Sequence, residues 1–153
     1  MGLDILTAKG QKTLSDAREA MSVFTCRFGM DYIETPKKSV AYADGLLAKD
    51  CELQAVVEVK CRYDMDFDKF FLDYNGEWLV TADKLERCLS AANYFCVPFV
   101  GFLHLVNSKK LLWKKIDKWK TQKTRTSRTV NDQTPVLRLN GFVDMEGASC
   151  LQL

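Results

Sequence analysis

Apolar positions recur along this chain with two different periods, and the places where the period changes mark its elements. From Thr13 to Phe28, the residues Leu14, Ala17, Met21, Phe24 and Phe28 fall at helical spacing, which predicts an amphipathic helix with one buried stripe. Ser15 is its expected cap, Asp16 and Glu19 suit its positive end, and Gly29 follows its last turn. A short strand is expected from Asp31 to Thr35, ended by Pro36. Residues 39 to 48 and 53 to 62 then read as a β-hairpin with Lys49 to Glu52 at the turn. In its second strand Ala55, Val57, Val59 and Cys61 make an apolar face, while Val56, Glu58, Lys60 and Arg62 make a face that becomes charged toward the end.

Beyond the hairpin, Phe67, Phe70, Phe71 and Tyr74 sit at helical spacing after Asp66, a natural cap. Thr81 to Phe95 predicts a further helix with Leu85, Leu89 and Ala92 inward and Lys84 and Arg87 outward. Val97 to Val106 is apolar on both faces and predicts a central strand. Its single His104 is expected to be a hydrogen-bonded core histidine. A turn at Asn107 leads to a strand from Leu111 to Ile116, and Pro135 to Phe142 returns to the sheet before a loose end at Gly147 to Leu153. Helices alternating with strands predict one α/β domain spanning residues 1 to 153.

Charge changes this picture in one place. The formal net charge is only +2, but residues 109 to 128 hold nine Lys or Arg against the single acid Asp117, leaving the rest of the chain acidic. Lys114, Lys115, Lys118, Lys120, Lys123, Arg125 and Arg128, interleaved with Trp119 and several threonines, suit phosphates and a stacked base. A solvated basic loop is the other reading of the same segment. The six cysteines are scattered without metal-binding spacing and are expected to be reduced thiols. No apolar stretch has the length of a membrane span, and Met1 to Thr13 lacks the pattern of a signal peptide, so a cytoplasmic location is expected.

The hairpin carries the candidate chemistry. A turn centred on Cys51 pairs Asp44 with Glu58, and Lys60 shares the face of Glu58, so two carboxylates and an ammonium converge. A slip of one residue would send Asp44 to the opposite face. Asp44, then Glu58-Val59-Lys60, on consecutive strands between an N-terminal helix and a later helix, resemble the PD-(D/E)XK nucleases. The resemblance covers about residues 13 to 117. It departs from the pattern at Ala43, where the name-giving proline would stand.

The resemblance implies a restriction-endonuclease-like fold, with a central mixed β-sheet flanked by helices. It further implies a Mg²⁺-dependent nuclease acting on DNA, with Mn²⁺ as a substitute metal. Asp44 and Glu58 would ligate the metal, Lys60 would orient or activate the attacking water, and Glu19 on the first helix would be an accessory ligand. Lys84 in the first turn of its helix would face the scissile phosphate. A small stand-alone nuclease, phage-borne or serving repair or recombination, is the expected function, with monomer and homodimer both open. The alternative is a nucleic-acid-binding or assembly protein that keeps the fold without cutting.

Overall fold

The computed structural model describes residues 7–37, 42–127 and 135–153. Its elements in chain order are α1 (Ala8–Phe28), β1 (Asp31–Glu34), β2 (Gly45–Lys49), β3 (Glu52–Arg62), α2 (Phe67–Asp73), β4 (Glu77–Thr81), α3 (Ala82–Tyr94), β5 (Phe99–Leu105), β6 (Lys110–Lys115), β7 (Lys120–Ser127), β8 (Pro135–Asp144) and β9 (Ser149–Gln152). Six strands form a mixed sheet in the order β1-β2-β3-β5-β6-β9, with β3 and β5 parallel and every other pair antiparallel. A parallel pair needs a crossover, and α2, β4 and α3 supply it. A second sheet has the order β4-β8-β7.

The main sheet separates two apolar layers. On one face, Ala20, Met21 and Phe24 of α1 pack on Leu47, Ala55, Val57, Val59 and Phe102. Phe24 meets Phe102 and Trp113 edge-on at 4.8 and 5.1 Å between ring centroids, a geometry favoured beyond burial alone. On the other face, Val56, Phe99 and Leu103 pack with Phe70 of α2, Leu85 and Cys88 of α3, and Trp78 and Val143 of the second sheet. β3 is therefore buried on both faces through its middle, and Glu58 is fully buried. The face that becomes charged toward the end of the strand is covered at Glu58: β3 lies inside the sheet, and α3 and the second sheet pack on that face.

Several boundaries differ from those expected. The first helix begins at Ala8, with Thr7 as its cap: Thr7 Oγ1 accepts from Gly10 N at 3.0 Å, and Ser15 lies mid-helix. Gly29 ends it as expected, in the left-handed conformation at φ 63°. The expected hairpin start at residues 39 to 41 lies outside the described residues. Asp66 caps α2 by accepting from Lys69 N at 2.7 Å. The largest differences are β4, β7 and β9. The helical spacing from Phe67 to Tyr74 gives no sign of β4, and the basic segment no sign of β7. The tail is no loose end: β9 pairs with β6, and Leu153 N donates to Lys109 O at 2.7 Å. Pro135 to Phe142 does return to a sheet, but to the second one.

Candidate functional site

The register that places the candidate site depends on one bulge. Asp50 and Cys51 both adopt positive φ, 51° and 65°, the conformation that a tight two-residue hairpin turn requires. That turn pairs Lys49 with Glu52 and Ala48 with Leu53, a register that would bring Asp44 opposite Val57. Between Leu47 and Ala48 the register shifts, so that Leu47 pairs with Ala55, Leu46 with Val56 and Gly45 with Val57. Gln54 is the extra residue. Continued by one step, the corrected register sets Asp44 against Glu58, as a turn centred on Cys51 predicts. Asp44 N donates to Val57 O at 3.0 Å, and Val59 N donates back to Asp44 Oδ2 at 2.8 Å, fixing one oxygen of the carboxylate.

Asp44, Glu58, Lys60 and Lys84 come together. Lys60 Nζ lies 3.4 Å from Glu58 Oε1. Lys84 Nζ lies 3.4 Å from Glu58 Oε2 and 3.8 Å from Asp44 Oδ1. Lys84 is thus a bridge between the carboxylates, from the first turn of α3. Glu58 is fully buried, whereas the Asp44 side chain is about a quarter exposed (24%) and marks the open side of the cluster. Glu58 Oε1 is buried without a hydrogen bond despite its nearby lysine. Burial and then the Asp44 charge push the Glu58 carboxyl up to about 7, against the opposing pull of Lys60 and Lys84. Lys84 is held above its ordinary value: burial works against its charge, but Glu58 and Asp44 outweigh that.

Three more residues belong to the cluster. Lys37 donates to Asp44 O at 3.3 Å and lies 3.9 Å from Asp44 Oδ1 and 3.7 Å from Glu34 Oε1. Tyr32 lies against Gly45, where a Cβ would overlap its ring. Burial, followed by the charges of Asp44, Glu34 and Glu58, raises its hydroxyl well above the usual tyrosine range. Cys88, one turn along α3 from Lys84, donates to Tyr42 O at 3.2 Å and lies 3.8 Å from Glu58 Oε2. Sequence spacing held no signal for Lys37 or Tyr32, because a loop and a neighbouring strand deliver them. The four-residue step from Lys84 to Cys88 does put both on one helix face.

Glu19 is not brought to this cluster. It is exposed on α1, whose buried face packs on the Val57 and Val59 side of β3, away from Glu58. Among the described residues, no three His, Cys, Asp or Glu side chains form a group that could hold a metal ion. Glu19, expected as a possible accessory ligand, thus stands on the α1 side of the sheet, apart from Asp44 and Glu58. His104 is buried on β5 with Nδ1 3.8 Å from Cys61 Sγ, and burial lowers its pKa, as fits a neutral core histidine.

Among the described residues, the basic segment does not make one patch. Lys114 is engaged, its Nζ donating to Asp144 O and Glu146 O at 2.9 and 2.8 Å. Lys115, Lys118 and Lys123 are exposed, and exposed Lys120 lies 3.3 Å from Glu77 Oε1. Lys120 and Lys123 are three residues apart on β7 and so point to opposite faces. Of Arg125 only the backbone is described, and Arg128 lies outside the described residues. Trp119 is half-buried against the core, and a Cβ on Gly141 would stand 3.0 Å from its ring, so the indole packs there instead of standing free to stack on a base. Trp119→Ala is expected to cost roughly 2 kcal/mol of stability, less than the truncation of a fully buried tryptophan because the ring is only half-buried. Urea unfolding checks this; an unchanged midpoint with weakened single-strand binding would restore the stacking role.

No protein-family model matches the sequence, and no curated protein resembles it significantly. Among solved structures, the chain is similar to Archaeoglobus fulgidus Hjc, a Holliday junction resolvase from an archaeal hyperthermophile, with a TM-score of 0.55 and 14% sequence identity. The match covers 86% of this chain and 93% of the resolvase. The chain has the restriction-endonuclease-like fold. Its mixed sheet and flanking helices are those that the resemblance to PD-(D/E)XK nucleases implied. No helix among the described residues is long and apolar enough to cross a membrane.

Proposed function

We propose that the protein is a Mg²⁺-dependent nuclease that hydrolyses phosphodiester bonds in DNA. One observation carries the reading: a fully buried glutamate stands beside an aspartate and two lysines, with one of its oxygens lacking a hydrogen bond. A carboxylate as buried as Glu58, beside a second carboxylate, is costly to ionise without a cation, and hard oxygen donors of this kind suit Mg²⁺, which typically takes one or two carboxylates and completes its shell with water and phosphate. Asp44 and Glu58 would hold it, Mn²⁺ serving as a substitute. Once bound, the metal would supply Lewis acidity toward the phosphate and a nucleophilic hydroxide at neutral pH. Lys60, beside Glu58 and about a third exposed (35%), orients the water and adds positive charge. The resolvase likeness makes branched DNA the first substrate to try. The six free cysteines fit a reducing, cytoplasmic compartment.

The non-catalytic alternative has one observation in its favour: Lys60 and Lys84 already neutralise the two carboxylates without a metal. Incubation with plasmid and four-way branched DNA, with Mg²⁺ and with EDTA, separates the readings. Metal-dependent cleavage that is lost in Glu58→Gln supports the nuclease; binding without any cleavage leaves the alternative.

The exposed basic residues would carry DNA affinity apart from the chemistry. Changing Lys118, Lys120, Lys123 and Arg125 together to neutral residues is expected to flatten the slope of log affinity against log salt by up to about 3.6 on duplex DNA. Cleavage at saturating DNA should persist. Unchanged affinity and salt slope would place the DNA elsewhere on the domain.

A further inference from the structure

The carboxylate pair is already matched in charge. Within 4 Å of Asp44 and Glu58 stand Lys37, Lys60 and Lys84, and Lys37 is shared with Glu34. These lysines are not equivalent. Lys60 touches only Glu58, from the same strand, and Lys37 touches only Asp44 of the pair. Among the described residues, Lys84 alone reaches both carboxylates, at 3.4 and 3.8 Å, so its ammonium takes the place between them that would suit a shared cation. It comes from a different element, α3, and its side chain is about a quarter exposed (24%). A four-carbon stem with that access to solvent can swing away without moving the helix.

We propose that Lys84 holds the place of the divalent cation in the metal-free protein and is released when the cation enters, so that metal and DNA bind cooperatively. This rests on the nuclease reading above. A cation and an ammonium repel at such range, and the cluster gains two positive charges that its two carboxylates cannot balance. The freed ammonium and the surplus charge then suit a phosphate. Each ligand thereby favours the other: the metal frees a phosphate-binding group, and the phosphate relieves the repulsion the metal creates. Reciprocity requires one coupling factor in both directions.

Amine acylation read by mass spectrometry reports the exchange directly. In the wild-type protein, Mg²⁺ is expected to raise labelling of Lys84 severalfold. A short duplex with phosphorothioate linkages, which resists hydrolysis, should then lower it again. In the Asp44→Asn, Glu58→Gln double variant neither change should occur. Calorimetry supplies the second readout: Lys84→Gln should bind Mn²⁺ about tenfold more tightly than wild type, a coupling of ordinary size. Lys37→Gln removes the same charge from beside one carboxylate only and should change affinity less. If Mn²⁺ binds through Asp44 and Glu58 while Lys84 labelling stays constant or falls, the placeholder role is overturned and the nuclease reading stands. If no Mn²⁺ binding depends on Asp44 and Glu58, both are overturned.

Discussion

Glu58→Gln and Asp44→Asn are each expected to lower DNA cleavage by about a thousandfold or more at saturating DNA, while the fold and the metal-free DNA affinity remain. Each change removes metal-binding charge at nearly constant volume, so what is lost is the Lewis acid and the activated water, a contribution of several kcal/mol to the barrier. Asn at 44 keeps an oxygen able to accept from Val59 N, the contact that fixes the end of the hairpin at 2.8 Å in the wild type. Local structure should therefore survive. Lys60→Ala should cost about a hundredfold, the size typical of a positioned proton-transfer or charge-stabilising group. Single-turnover cleavage of plasmid and branched DNA, with circular dichroism and DNA binding as controls, checks all three. Wild-type rates in Glu58→Gln would remove the metal site from the proposed mechanism.

Why the hairpin was legible and the second sheet was not comes down to what each segment buries. Leu46, Leu47 and the run Ala55-Val56-Val57 sit at the centre of the sheet with both faces covered, so their apolar pattern is strong. The turn was bracketed correctly, and Asp44 and Glu58 were paired correctly. Yet a turn centred on Cys51 is in fact a tight two-residue turn plus a bulge at Gln54, and the two produce the same register beyond Leu47. Nothing in the residue types marks that bulge. β4 was lost because five residues, with only Trp78 and Val80 pointing inward, run straight into α3. β7 reads as a solvated loop because the side chains from Lys120 to Lys123 are exposed, on an edge strand that owes its place to pairing with β8. β9 is four residues long and held partly by side-chain bonds, Gln152 donating to Ser108 O and Lys109 O. Backbone pairing of that kind leaves little hydrophobic pattern. The role of Lys84 was half legible: its place in the first turn of the helix was right, but its bridging of both carboxylates depends on the packing of α3 over β3, which no local pattern encodes.

In EDTA, the wild-type protein is expected to lose about 3 kcal/mol of stability relative to Glu58→Gln as pH rises from below 4.5 to above 7. The Glu58 carboxyl moves from an ordinary value of 4.5 in the unfolded chain to about 7 in the folded one, through burial first and the Asp44 charge second. Its folded value is raised, so between those two pH values the native state holds a proton that the unfolded state has released. Stability from this group is therefore complete below about 4.5 and is lost as pH climbs through about 7. A shift of this size corresponds to about 3 kcal/mol, and Glu58 is fully buried, so solvent does not screen it away. His104 works in the opposite direction, since burial lowers its pKa and the unfolded chain binds its proton more readily. Comparison with Glu58→Gln, which leaves His104 in place, isolates the glutamate. Saturating Mg²⁺ should erase the wild-type deficit at high pH, because the cation binds the ionised carboxylate and only the folded protein presents it. Urea unfolding midpoints from pH 4.5 to 8, with EDTA and with Mg²⁺, measure both effects. A constant difference between wild type and Glu58→Gln across that range would mean that Glu58 ionises as easily in the sheet as in water, and the buried carboxylate could not be the source of the site's appetite for a cation.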